Sequence, residues 1–156
     1  MSHKIKIRRA TTDDLSEILD LFSGSVKQIG QQDYEPKQIA AWAASVHNQS
    51  RWQRAMSDQY FLVAVSNEII VGFGSLEQEY LDFLYVHQNH QRQGIANLLY
   101  KVLEQEAARA GHRQITTDAS KTAQGFFIRQ GFDVIKENRK QIKGVELTNY
   151  RMSKKL

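Results

Sequence analysis

The chain has 156 residues, of which 41% are hydrophobic and 24% charged, with a net charge of +4 and no cysteine. That length and balance suit one folded domain with a real core and argue against disorder, while the lack of cysteine excludes disulfides, thiolate metal sites and a cysteine nucleophile. Basic residues crowd the end (Lys136, Arg139, Lys140, Lys143, Arg151, Lys154 and Lys155), but no run interleaves them with aromatics as a nucleic-acid surface would.

In chain order, "KIKIRR" sets Ile5 and Ile7 on one face of an opening strand, and this basic, alternating start does not read as a signal peptide. "TTDDLSEILDLF" places Leu15, Ile18, Leu19 and Phe22 at helical spacing behind a Thr11/Asp14 capping box. A Gly- and Gln-rich loop follows. Pro36 then opens a second helix with Ile39, Trp42, Ala43 and Val46 as its stripe, and "RWQRAM" adds a further helical turn. "YFLVAVS" and "IIVGFGSL" are two strands around a tight "NE" turn, and "YLDFLYV" is a third, apolar enough to be central. A helix from Gly94 to Ala110 carries Leu98, Leu99, Val102, Leu103 and Glu106 and stops at Gly111. "QITTDA" is a strand, "KTAQGFFIRQG" a short helix, and "FDVIKEN" with "VELTNYRM" a closing strand pair.

The order β-α-α-β-β-β-α-β-α-β-β predicts an α/β (α+β) fold over residues 1–156, with a mixed sheet that is antiparallel at first and parallel across the main helix. The longest apolar runs, "FLVAV" and "IIVGF", are too short to span a membrane, and a reducing cytoplasm is the expected compartment.

The stretch "QRQGIAN" carries the chemistry. The first amides of a helix lack internal partners and the aligned peptide dipoles leave partial positive charge there, so a phosphate satisfies both. Gly94 and Ala96 keep that end slim, and Gln91, Arg92 and Gln93 offer donors; alone, a glycine there also serves a plain turn. No G-x-G-x-x-G follows a strand and no G-K-[ST] ends a loop, which argues against a dinucleotide fold and an NTPase.

"QRQGIA" after a strand, together with "AQGFFIRQGF" about thirty residues on, resembles the acetyl-CoA loop and second signature of the GNAT N-acetyltransferases. "YEPKQIAAW", "DASKTA" and "LTNYRM" are similar to its YafP-like branch. The resemblance implies the GNAT fold and an acetyl-CoA-dependent transfer of an acetyl group to a primary amine. It implies backbone contacts to the pantetheine arm at Leu84, Tyr85 and Val86. A diphosphate would lie on the amides of Gln93, Gly94, Ile95, Ala96 and Asn97, with Gln91 and Arg92 flanking. Ser120 falls where many members carry an Asn that contacts the cofactor, and Ala123, Phe126 and Phe127 would form the wall beside its thiol end. Acceptor contacts are expected from Tyr34 and Tyr80.

An alkylamine is only about 0.1% neutral at pH 7, so the reaction needs a base. Strand alternation would place Tyr80, Asp82, Leu84 and Val86 on one face. Asp82 in an apolar strand costs free energy unless solvated or paired, so it is either the base or half of a salt bridge; Glu79 ranks second. Many relatives have Tyr where Phe127 stands, and Phe127 has no proton to give; Tyr150, Tyr85, water or unaided departure of the thiolate would replace it. His87 and His90 form an H-x-x-H without a third ligand, so no metal is expected. The acceptor is a small molecule or a peptide or protein amine, and the protein a monomer or homodimer. The competing readings are a GNAT-fold module that holds CoA without turnover and a basic nucleic-acid-binding protein.

Overall fold

The computed structural model describes residues 4–156. Seven strands form one sheet: β1 (Lys6–Arg9), β2 (Tyr60–Ser66), β3 (Ile69–Glu77), β4 (Tyr80–Val86), β5 (Gln114–Ser120), β6 (Asp133–Ile142) and β7 (Val145–Lys155), in the order β1-β2-β3-β4-β5-β7-β6. All neighbours are antiparallel except β4 and β5, as the sequence predicts for strands joined across the main helix. The β2–β3 turn is Asn67–Glu68, both with positive φ (50° and 64°), the conformation that matches the twist of a two-residue hairpin.

Helices α1 (Leu15–Ile29), α2 (Pro36–Ala43) and α3 (Gln49–Asp58) pack on one face of the sheet, and α4 (Ile95–Arg109) and α5 (Gln124–Arg129) on the other. The capping box forms as expected, and the Asp14 carboxylate also takes a bidentate pair from Arg8 at 2.9 and 3.0 Å. That guanidinium holds the Asp14 carboxyl below its usual range.

Two elements differ from expectation. The first helix does not give way to a loop at Gly24 but runs on to Ile29, because Ser25 and Val26 carry its buried stripe one turn further. The "RWQRAM" turn is a full helix, α3, capped by the Asn48 side chain on the Arg51 amide and pinned by buried Trp52 and Ala55. The chain therefore has one helix more than predicted.

The buried face of α4 is also rotated. Ile95, Leu99, Tyr100, Leu103 and Ala107 are buried, whereas Leu98 is 44% exposed. The helix lies directly on β3, where Gly72 leaves no room for a side chain: a Cβ there would sit 2.9 Å from Ile95 Cγ2. Beyond the sheet's other face, Phe22, Trp52, Phe61, Phe73 and Phe83 form an aromatic cluster, with Trp52 stacked on Phe83 at 4.5 Å between centroids.

Strand β4 is irregular on both of its edges. Its parallel pairing with β5 lasts only two residues, Tyr80 with Thr116 and Leu81 with Thr117. The Thr117 hydroxyl donates to the Leu81 carbonyl at 2.9 Å, and beyond that point the strands diverge. On the other edge, Phe83 opposes Ser75 and Leu81 opposes Leu76, so Asp82 is the extra residue of a β-bulge.

Candidate active site

The divergence of β4 from β5 opens a wedge in the middle of the sheet, and a cavity of about 270 Å³ occupies it. Its walls come from β4 (Tyr80 to Tyr85), from Thr117 to Ser120 of β5 with Ala123 and Phe127, from α1–α3, and from the β6–β7 hairpin. Leu84, Tyr85 and Val86 lie past the last paired residue of β4, so their edge toward β5 carries no ladder.

Past the unpaired end of β4 the chain turns through Gln88–His90 into the start of α4. Gly94 takes φ +79°, a left-handed conformation that favours glycine, and a Cβ there would find open space within 4 Å. No side chain caps this helix. The first-turn amides of Ile95, Ala96 and Asn97 have no protein acceptor among the described residues. Gln91, Arg92, Gln93, Gly94 and Asn97 are exposed, and Arg92 also has a positive φ of 62°. A bare, dipole-aligned helix end beside an open strand edge fits a diphosphate-bearing coenzyme with an extended arm.

Not every residue expected at this loop faces it. The Gln91 side chain turns back, its amide donating to the Val86 carbonyl at 2.8 Å, so it fixes the end of β4 instead of offering a free donor. Ser120 Oγ accepts from the Ala123 amide at 3.1 Å and lines the cavity with Ala123 and Phe127. Phe126 does not line it and packs edge-on against Tyr100.

The bulge overturns the expected alternation. Leu84 and Val86 pack toward α4, but Asp82 points to the opposite face and meets α3. Arg51 grips it bidentately at 2.8 and 3.2 Å, and Gln59 Nε2 donates at 2.8 Å. The Arg51 guanidinium lies over the Phe83 ring at 5.0 Å. Tyr80 also lines the cavity, and its hydroxyl donates to Asp118 at 2.8 Å. Burial and that hydrogen bond push the Tyr80 hydroxyl well above its usual range.

Asp118 is the second carboxylate of the cavity, and the sequence reading missed it. It receives two hydrogen bonds from Arg151 (2.7 and 3.0 Å), one from Tyr80 and one from Asn138 at 2.9 Å. Burial alone would raise its carboxyl, but the bonds from Arg151 and Tyr80 outweigh that and hold it low. The polar position of Asp118 within "QITTDA" was a signal available from the sequence; its partner Arg151 was not.

Tyr34 lies on the cavity wall but is buried, and its hydroxyl both donates to the Thr148 carbonyl and accepts from the Lys121 amide, each at 2.8 Å. Tyr150 is not on the wall, and its hydroxyl reaches Glu137 at 3.5 Å. Glu79 sits in the β3–β4 connection beside Gln114, away from the cavity. His87 accepts from the Asn89 amide, and among the described residues no group of three or more metal-ligating side chains comes together.

Comparison with known proteins identifies the family and the fold. The family model described as "Acetyltransferase (GNAT) domain" matches residues 31–154. The chain is 34% identical over 150 residues to the uncharacterized N-acetyltransferase YafP of Escherichia coli (strain K12), covering 96% of this chain and 95% of that one. It is 30% identical, with a TM-score of 0.95, to the structure named GCN5-Related N-acetyltransferase: Aminotransferase, Class-II from Rhodopseudomonas palustris, covering 100% of this chain and 99% of that one. The PaiA N-acetyltransferase of Thermoplasma acidophilum, solved with coenzyme A, shares the fold at a TM-score of 0.78 and 20% identity over 98% of this chain and 99% of that one. With a family model over most of its length and these relatives along nearly all of it, the chain belongs to the GNAT acetyltransferase family.

Proposed function

We propose that the protein is an acetyl-CoA-dependent N-acetyltransferase acting on a primary amine. The observation that carries this is the uncapped start of α4 opening beside the unpaired edge of β4. In this reading the edge of Leu84, Tyr85 and Val86 receives the pantetheine arm. The amides from Gln93 to Asn97, with Arg92, hold the diphosphate. Ser120, Ala123 and Phe127 wall the thiol end, and acetyl-CoA supplies the acetyl group as a thioester.

The base in this reading is Asp82. A carboxylate offers about four lone-pair sites. At Asp82, Oδ2 receives Arg51 and Gln59, while Oδ1 receives only Arg51, which leaves one site open. Asp118 has none left, since each of its oxygens receives two donors. The amine nitrogen attacks the thioester carbon, the C–N bond forms, the C–S bond breaks, and the nitrogen's proton passes to Asp82, directly or through one water. Tyr85 replaces the hydroxyl that Phe127 lacks: it lines the cavity, and burial keeps its hydroxyl protonated, so it can donate to the departing sulfur.

The absence of cysteine fits the cytoplasm as the working compartment. No helix of the described residues is long and apolar enough to cross a membrane. The test is a melting series with acetyl-CoA, followed by release of free CoA thiol across a panel of amines. Stabilisation with thiol release supports the reading. Stabilisation with no release on any amine would favour a module that holds CoA without turnover. No stabilisation, with nucleic-acid binding that collapses as salt rises, would favour a basic nucleic-acid-binding protein.

A further inference from the structure

The acceptor half of the cavity has a charge pattern that narrows what can enter it. Two carboxylates line it, Asp82 and Asp118, and both are engaged by arginines. Asp118 is saturated and Asp82 keeps one lone pair, enough for the reacting nitrogen and nothing more. A second ammonium would have no free carboxylate to meet and would be left unpaired, which disfavours polyamines and other polycations.

Among the described residues, Lys140 is the wall cation that no salt bridge holds, although its charge also acts on Asp118, whose four hydrogen bonds come from other groups. On β6, Asn138, Lys140 and Ile142 share a face by strand alternation: Asn138 bonds to Asp118, and Ile142 lines the cavity. Lys140 lies between them on the same wall. Among the described residues it forms no ion pair or hydrogen bond, whereas its neighbour Arg139 is paired with Glu137 and Glu146. Aromatic rings supply part of the remaining wall, beside polar residues such as Ser45, Asn48 and Asn149. Tyr85 is met edge-on by Phe22 at 4.9 Å, and Trp42 stands edge-on to Tyr34 at 5.4 Å.

We infer that the acceptor is a small amphoteric monoamine: a primary amine on an apolar or aromatic body that also carries one anionic group, as in an aromatic amino acid. Lys140 receives the anion, the rings of Trp42, Tyr85 and Phe22 hold the body, and the amine meets the open lone pair of Asp82. The transfer consumes one acetyl thioester and gives the N-acetyl acid and free CoA thiol, with Tyr85 protonating the departing sulfur and the amine's proton replacing it on Tyr85 through Asp82 and solvent. Because it names the substrate class of that site, this inference rests on the acetyltransferase reading.

The test compares matched acceptors with acetyl-CoA: phenylalanine, phenethylamine (the same body without the carboxylate), spermidine, and a lysine peptide with a blocked N-terminus. Phenylalanine should show the highest kcat/KM. Lys140→Gln should shrink the ratio of kcat/KM for phenylalanine to that for phenethylamine by about 10- to 100-fold, the worth of one charge-assisted hydrogen bond. The loss should appear in KM rather than kcat, and Lys140→Arg should restore part of it. Higher kcat/KM for spermidine, the peptide or phenethylamine overturns the inference, as does an unchanged ratio in Lys140→Gln. Acetyl-CoA stabilisation without turnover of any acceptor overturns it as well, leaving coenzyme binding in place. If acetyl-CoA neither stabilises the protein nor yields thiol, the acetyltransferase reading falls with it.

Discussion

Gly94→Glu separates the coenzyme site from the fold. A side chain at φ +79° costs about 1–2 kcal/mol for an L-residue. The space is open, since a Cβ meets nothing within 4 Å, so no clash adds to that strain. A carboxylate at a helix N-terminus returns about 0.3–1 kcal/mol through the macrodipole. The free variant should therefore lose about 1 kcal/mol, a fall in Tm of about 2–4 °C for a chain of this length. The bound state is another matter. At about a hundredfold Kd, acetyl-CoA should stabilise the parent by about 2.7 kcal/mol, and the variant should show none of it, because its carboxylate occupies the amides and repels the diphosphate. Gly94→Ala carries the same backbone strain without the charge and should keep most of the shift. The assay is thermal unfolding with and without acetyl-CoA for all three proteins. An undiminished shift in Gly94→Glu refutes the placement of the diphosphate; an equal loss in Gly94→Ala shows that strain, not charge, was responsible.

Asp82→Asn should lower kcat by about 10²–10⁴ near neutral pH and by less at alkaline pH, where free amine is plentiful; a loss of the same size at every pH would make Asp82 a structural partner. Tyr34→Phe removes both hydrogen bonds that tie the loop before α2 to Thr148 and Lys121, and should cost about 1–3 kcal/mol in chemical denaturation, with little change in the slope of the transition. Arg151→Gln tests the pH dependence of stability. The Asp118 carboxyl is held below its unfolded value, so it contributes stability at neutral pH that is lost as pH falls through the folded value. Arg151 is 40% exposed, which discounts the pair to about 1–2 kcal/mol. The Tm gap between parent and variant should be widest at pH 7 and close below about pH 4; a gap constant with pH would show that Arg151 acts through packing instead.

Much of the fold was legible because it rests on periodicity. Seven strands and four of five helices follow from apolar spacing, and the "QRQGIA" helix start follows from a glycine placed where no side chain caps the turn. The failures have local causes. In α3 the sequence offers only Trp52 and Ala55 as buried residues in a ten-residue polar stretch, too sparse a stripe to read as a helix. In α4 the leucine spacing predicts a buried stripe that includes Leu98, which is exposed. Tyr100 is buried where Leu98 is not because Phe126 and Phe132 close edge-on around its ring, a fact of α5 and the segment after it and not of the helix.

The misplacement of Asp82 carries the most chemistry. Alternation assigns it to the face of Leu84 and Val86, where it would stand among the apolar side chains under α4. One extra residue opposite Ser75 and Leu76 moves it to the other face, and there α3, the helix that was hardest to see, supplies Arg51 and nearby Gln59. The two errors are thus one fact: the bulge turns Asp82 toward the third helix, and that helix makes a buried carboxylate tolerable. The same pairing sets its capacity, with three donors on four sites and one left for a nitrogen's proton. Removing Arg51 would therefore do more than break a salt bridge, since it would also free Asp82 to bind a second cation. Arg51→Met should relax acceptor selectivity toward polyamines such as spermidine while lowering stability, and a variant as selective as the parent would show that the cavity excludes polycations by shape instead.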